Sequence, residues 1–315
     1  MAQAGSGLQW RDACPRLAGR RIFRPMTAAS PAHALPRAPR RAHIVDVLIA
    51  ERAPRLAASF AWPLARPLLY ALLDYGKARR MADAIAPLPG AAALEHVSRL
   101  LSLRVTASGL ERIPRDGRMI VVCNHPTGIA DGVAVYDALK AVRPDLCFYA
   151  NSDAHRVAPR LGEVLIPVEW VAAKRTRDRT RATLQLTREA LERERCLVVF
   201  PSGRLSRRGP DGRLSDPPWA LSAVSLARRY GAPVIPIHVA GPWSTLFHLF
   251  NAVSGELRDI TLFHEMLNKQ GRAFHLTVGE PIAPTAWEGD PIQTTTRLKH
   301  YVERVLADNP DGVFT

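Results

Sequence analysis

A chain of 315 residues, 47% hydrophobic and 23% charged, has apolar material for one sizeable core and a composition ordinary for a soluble or membrane-peripheral protein. Its formal charge is +14, yet residues 1–43 hold eight arginines, no lysine and one acid, so half of the excess sits in one arm. Four cysteines, at 14, 123, 147 and 196, make no Cys-x-x-Cys pair and have no metal-ligand spacing with the ten histidines, which argues against a structural metal and for a reducing compartment.

The arm 1–43 carries five prolines and no hydrophobic periodicity. It cannot bury enough apolar area to offset its ordering entropy and is predicted to be disordered. It reads as a tether to an anionic membrane, at ~1 kcal/mol per basic residue near the surface, or as a non-functional extension with Met26 as another start. Its Arg-rich, acid-poor make-up also fits a transit peptide, and it contains no secretory apolar region.

Residues 44–101 form the next segment and are predicted to be a helical hairpin. Ile44–Glu51 is apolar, and Leu56–Tyr75 is long, but Pro63, Arg66, Pro67 and Asp74 interrupt it, so a membrane-spanning helix is not expected. Two readings stand side by side. The segment either packs on the catalytic core or lies in a membrane interface, with Trp62 and Tyr70 at headgroup depth and Lys77, Arg79 and Arg80 beside anionic headgroups.

Residues 102–315 alternate strands and helices. The apolar runs Leu103–Ala107, Met119–Asn124, Leu146–Ala150, Val164–Val168, Cys196–Phe200, Val234–Ala240 and Phe274–Val278 read as strands. Gly132–Val142, Thr176–Arg195 and Pro218–Tyr230 read as helices between them. The fold class is therefore α/β, a mainly parallel sheet covered by helices on both faces, preceded by the helical hairpin and the disordered basic arm.

Met119–Asp137 concentrates the chemistry. The strand stops at Asn124-His125, turns through Pro126-Thr127-Gly128 and restarts as a helix, so His125 sits at a strand's carboxyl end, where open α/β sheets bind ligands. Asp131 follows six positions later. Imidazole with an orienting carboxylate is general-base equipment, although Asp131 also suits the N-cap of the following helix. A second strand ends in Pro201-Ser202-Gly203-Arg204-Leu205-Ser206-Arg207-Arg208, and parallel strands would place this basic loop on the same sheet edge. Pro201, Ser202, Gly203 and above all Arg204 are a candidate anion site, since guanidinium offers a fork of donors and glycine frees main-chain amides. Asn124 and Gly128 join them as substrate contacts, and amides around Gly128 or Gly203 are candidates for oxyanion donors. Cys123, on the same strand face as His125, is a competing nucleophile or a buried apolar residue. No Gly-x-Ser-x-Gly occurs, against an esterase of the α/β-hydrolase kind. Lys174 and Arg175 either contact substrate or open a solvated helix, and histidines 155, 238, 248, 264 and 275 read as structural.

Asn124-His-Pro-Thr-Gly-Ile-Ala-Asp131-Gly, then Phe200-Pro-Ser-Gly-Arg-Leu-Ser206, then Ala232-Pro-Val-Ile-Pro-Ile-His238 resembles the ordered blocks of the glycerolipid (1-acylglycerol-3-phosphate) acyltransferase superfamily, over roughly Leu103 to Pro281. The likeness is greatest to a hemolysin-like bacterial branch. The chain departs from the family pattern in having five residues between His125 and Asp131 instead of four, Ser202 in place of Glu, Arg204 in place of Thr and Leu205 in place of Arg. The resemblance implies a membrane-associated O-acyltransferase of phospholipid-type metabolism, on the cytoplasmic side of the membrane. His125 would deprotonate a lysolipid hydroxyl, which attacks the thioester of acyl-CoA or acyl carrier protein with no covalent enzyme intermediate and no cofactor beyond that co-substrate. Partners are then the acyl donor, the lysolipid acceptor and the membrane surface. With 7% aromatics and its basic charge in the arm, the chain is not expected to bind nucleic acid. Alternatives are a lyso-aminolipid acyltransferase of the ornithine-lipid type, a non-catalytic membrane-binding adapter of the same fold, and a thiol hydrolase using Cys123.

Overall fold

Strand β2 (Met119–Cys123) lies between two cores: Met119, Val121 and Cys123 enter one, Ile120 and Val122 the other, and all five are buried. Burial on both sides requires an unbroken apolar run, which is why the strand does not alternate with polar residues. The computed structural model describes residues 42–169, 176–209 and 212–315. Most of the basic arm, and with it Cys14, as well as Lys174 and Arg175, lie outside the described residues.

All seven strands expected from the apolar runs form one sheet. Its order is β1 (Arg104–Ser108), β9 (Ala273–Val278), β8 (Val234–Ala240), β2, β5 (Cys196–Val199), β3 (Cys147–Asn151) and β4 (Leu165–Val168). Pairings are parallel except β8 with β9, so five strands share one direction and the β1–β9 pair opposes them. A short antiparallel ribbon, β6 (Arg207–Arg208) with β7 (Leu214–Ser215), stands apart from the sheet.

Helices cover both faces. On one side, α1 (Ile44–Arg52), α4 (Tyr75–Ile85), α5 (Gly90–Leu101), α6 (Ile129–Leu139) and α7 (Asp153–Val157) share a core with β2, β8 and β9 through Leu48, Met81, Val97, Ala134 and their neighbours. On the other, α8 (Arg177–Glu192), α9 (Ser222–Tyr230) and α13 (Pro291–His300) pack Leu191, Val224 and Leu298 against Ile120, Val122 and Val199. Beyond β8 come α10 (Thr245–Val253), α11 (Gly255–Asp259) and α12 (Leu262–Leu267).

The amino-terminal segment is not a hairpin but five helices, α2 (Pro54–Ala57) and α3 (Trp62–Leu72) lying between α1 and α4. Pro54 and Pro63 occupy first-turn positions where proline starts helices, and Asp74 ends α3 with a left-handed φ of 54°. The headgroup assignment of Trp62 and Tyr70 is also corrected. Both rings turn toward the core: Tyr70 donates to Asp46 of α1 at 2.9 Å, stacks on Tyr75 at 4.0 Å and meets the edge of Trp62. The outward stripe is instead Phe60, Leu64, Leu68 and Leu72, exposed by 97, 84, 74 and 48% at intervals of one helical turn. Among the described residues no helix is long and apolar enough to cross a membrane.

Candidate active site

β2 ends at Cys123, and the next side chain fixes where the turn begins. Asn124 is buried, and its amide accepts from Val239 N at 2.7 Å and donates to Val239 O at 3.0 Å. It stitches β2 to β8 rather than contacting substrate as expected from the sequence, because both ends of its amide are engaged. His125 follows at the sheet's carboxyl edge.

The turn is organised by one buried carboxylate. Helix α6 begins at Ile129, three residues earlier than periodicity suggested, so Asp131 lies inside its first turn and is not its N-cap. Oδ2 of Asp131 accepts from Thr127 N at 2.9 Å and Gly128 N at 3.0 Å, and Oδ1 accepts from Thr127 Oγ1 at 2.5 Å. The His125 ring meets the same Oδ2 through Nδ1 at 2.8 Å. An oxygen that already accepts two main-chain N–H groups carries no proton, so the imidazole donates from Nδ1 and keeps its lone pair on Nε2. Nε2 has no partner among the described residues, and the side chain is 16% exposed. Phe200 backs the ring at 4.6 Å between centroids.

The β5 loop converges on this turn. Ser206 N donates to His125 O at 2.8 Å, and Leu205 lies against Gly128, whose φ of 99° only glycine adopts without strain. The loop itself is closed by Gly203 N on Phe200 O at 3.0 Å and by Ser202 Oγ on Arg204 O at 2.8 Å, while Pro201 O receives Ala220 N. The amides of Gly128 and Gly203 are therefore both engaged internally, which corrects their expected availability as oxyanion donors. Arg204 is exposed on the turn and has no carboxylate partner among the described residues.

Asp216 was not singled out in the sequence, yet it stands under both loops. Its carboxylate accepts from His125 N at 3.1 Å, Ser206 Oγ at 2.5 Å and Trp219 Nε1 at 2.9 Å, and its own N–H reaches Glu303 at 2.6 Å. Burial, reinforced by the charge of Glu303, raises its pKa above the ordinary carboxylate range, against the hydrogen bonds from Ser206 and Trp219. Glu303 is held in turn by Lys299 and Ser215. A groove of about 580 Å³ lies between α8 and α9, and none of the residues above lines it.

Cys123 is fully buried, and burial, reinforced by Asp131, raises its thiol pKa well above the ordinary value. The sign follows directly: a raised thiol pKa leaves less thiolate at any given pH, so reactivity falls. In the folded protein Cys123, Cys147 and Cys196, all buried, are expected to resist iodoacetamide from pH 7 to 9, and all to react after unfolding. Rapid modification of Cys123 in native protein, read by mass spectrometry, would restore it as a nucleophile.

Comparison with known proteins places this geometry. A family model described as Acyltransferase matches residues 104–240, the span from β1 to the end of β8. The chain is 27% identical over 224 residues to a lyso-glycine lipid O-acyltransferase of Phocaeicola vulgatus, covering 68% of this chain and 76% of that protein. A lyso-glycine lipid O-acyltransferase of Bacteroides thetaiotaomicron is 24% identical over 220 residues, covering 68% and 78%. Among solved structures, the 1-acyl-sn-glycerophosphate acyltransferase of Thermotoga maritima aligns with 84% of this chain and 95% of its own, at 17% identity and a TM-score of 0.44. The matched span contains both the strand-to-helix turn with its histidine and the converging second loop, and these similarities support acyltransferase activity for the chain.

Proposed function

We propose that this acyltransferase transfers a fatty acyl group from a thioester of coenzyme A or acyl carrier protein to the hydroxyl of a lysolipid with an amino-acid headgroup. The observation that carries the chemistry is the His125 Nδ1 to Asp131 Oδ2 bond of 2.8 Å at a strand's carboxyl edge. His125 Nε2 takes the hydroxyl proton as the oxygen attacks the thioester carbonyl. Collapse of the tetrahedral intermediate expels the thiolate, which recovers the proton from the imidazolium, and Asp131 stabilises that cation throughout. No bond to the enzyme forms. The amino-acid headgroup is supported by two relatives that are lyso-glycine lipid O-acyltransferases and by apolar Leu205 packed on Gly128, where the family pattern carries arginine.

The test is acyl transfer from a labelled thioester to a long-chain N-(3-hydroxyacyl)glycine and, in parallel, to lysophosphatidate. Wild type is expected to favour the first, and His125→Ala to lose about 10²–10⁴-fold in turnover while keeping its fold. Asp131→Asn is informative because an amide nitrogen at the Oδ1 position fits opposite Thr127 Oγ1, which then accepts, while the amide oxygen keeps the three bonds of Oδ2. Fold and tautomer should survive and only the charge is lost, at a cost of about 10²-fold or more in turnover. An active His125→Ala would remove the general base, preference for lysophosphatidate would remove the amino-acid headgroup, and no transfer at all would leave a non-catalytic adapter.

Membrane attachment belongs to the same proposal. Leu64, Leu68 and Leu72 form an apolar stripe on α3 with Phe60 in the turn before it, and Leu249 and Val253 add exposed apolar side chains on α10. α10 is followed, after the extended Ser254, by α11, whose Glu256 accepts from the N–H groups of Arg55 and Leu56 at the start of α2. Such a stripe would insert at the headgroup–acyl boundary, while the eight arginines of the arm add a salt-sensitive attraction. Vesicles containing anionic lipid should co-sediment wild type less completely as salt rises. Leu64→Glu with Leu68→Glu should detach the protein at every salt concentration, whereas removal of residues 1–41 should flatten the salt dependence. Unchanged binding by the double variant would remove α3 from the membrane contact.

A further inference from the structure

β2 lies between β5 and β8, and each neighbour sends a loop over its carboxyl end. Both loops are seated on the His125 turn. From β5, Ser206 N is bonded to His125 O, and the β6–β7 ribbon starts at the next residue. From β8, Gly241 leaves no room for a side chain: a Cβ there would stand 2.7 Å from Thr127 Cγ2 and 2.6 Å from Phe274. Two residues further along each loop they meet, with the Arg208 guanidinium 4.8 Å from the centre of the Trp243 ring. Trp243 in turn stacks on His248 at 3.8 Å and 8°, and Phe247 closes the edge of His248. The contact forms an arch joining the two loops that flank the base.

The arch carries charge that no acid among the described residues neutralises. Arg207 and Arg208 are exposed, and neither has a carboxylate partner among the described residues. The nearby Lys269, by contrast, is buried and paired with Glu265 at 3.0 Å. His248 adds no third charge near neutrality, since burial, then Arg208, Arg207 and Lys269, lower its pKa in spite of Glu265. A guanidinium laid on an indole keeps its N–H edge free for a planar acceptor, and a carboxylate matches that fork with two parallel hydrogen bonds.

We propose that this arch is the headgroup site of the acceptor: Arg208, held on Trp243 with Arg207 beside it, binds the free carboxylate of the amino-acid headgroup while the acceptor hydroxyl lies at His125 Nε2. The proposal rests on the lysolipid reading above and assigns its substrate recognition to residues outside the His125–Asp131 pair. Arg208 lies two residues beyond Ser206, whose N–H is bonded to the His125 carbonyl, so the arch stands on the loop next to the base. His248, read from the sequence as structural, becomes the backing of the site.

The experiment gives the full-length protein two acceptors that differ only in charge, an N-(3-hydroxyacyl)glycine and its methyl ester, with the same acyl thioester. A charge-assisted pair of hydrogen bonds corresponds to roughly a tenfold preference or more, so wild type should show an apparent KM at least that much higher for the ester. Arg208→Gln should raise KM for the free acid toward that of the ester and erase the preference. Trp243→Ala, which removes the support without removing the charge, should move in the same direction by less. Unaltered kcat with the ester would report an intact fold and base. An Arg208→Gln enzyme that keeps the wild-type preference overturns the proposal. Wild type that acylates acid and ester equally also overturns it but leaves the lysolipid reading standing, whereas wild type that accepts only lysophosphatidate overturns both.

Discussion

The site depends on a carboxylate that water cannot reach. Asp131 is fully buried, and a buried charge is tolerated only when its lone pairs are taken by donors. Four donors supply that: two consecutive main-chain amides, one hydroxyl and the imidazole of His125. The requirement sets the turn, because the amides of Thr127 and Gly128 point at the same oxygen only if Gly128 adopts its left-handed backbone. It also starts α6, since the bond from Gly128 N to Asp131 is the reciprocal half of a helix capping box. The tautomer of His125 follows from the same constraint. Structure and chemistry are thus two consequences of one desolvated charge.

Around that charge the sheet works as an alignment device. β2 is flanked on both sides by parallel strands, so three carboxyl ends face the same edge and their loops must pack on one another. Asn124 locks the register between β2 and β8, and Asp216 ties the β2 turn to the β5 loop from below. The N–H groups of the loops are largely spent on holding this arrangement. On the outer side Arg208, with no carboxylate partner among the described residues, lies over the Trp243 ring, which stacks on His248.

How much of this could be read from the sequence follows physical lines. The seven strands were legible because burial on both faces demands continuous apolar runs, and such runs are conspicuous in a chain rich in arginine. His125 and Asp131 were legible because they interrupt one of those runs beside Pro126 and Gly128. The first turn of α6 was hidden because Ile129 and Ala130 sit between the turn residues and the apolar pattern, and a capping acid looks like an N-cap until the turn geometry is known. The outward face of α3 was misjudged for a related reason: Trp62 and Tyr70 suit either an interface or a core edge, and only the hydroxyl of Asp-bonded Tyr70 settles which way they turn. Asp216 bonds His125 across 91 positions, and Trp243 meets Arg208 only through two separate loops, so neither relation has a local pattern.

Asp131 holds the neutral ring of His125 with its proton on Nδ1 and its lone pair on Nε2. Nitrogen-15 NMR of the full-length protein labelled at histidine nitrogens measures this directly, the His125 signals being identified by their loss in His125→Gln. A protonated Nδ1 and a bare Nε2 in the neutral imidazole are what the geometry predicts. A bare Nδ1 with the proton on Nε2 would contradict it, because the nitrogen facing the cleft could then accept nothing.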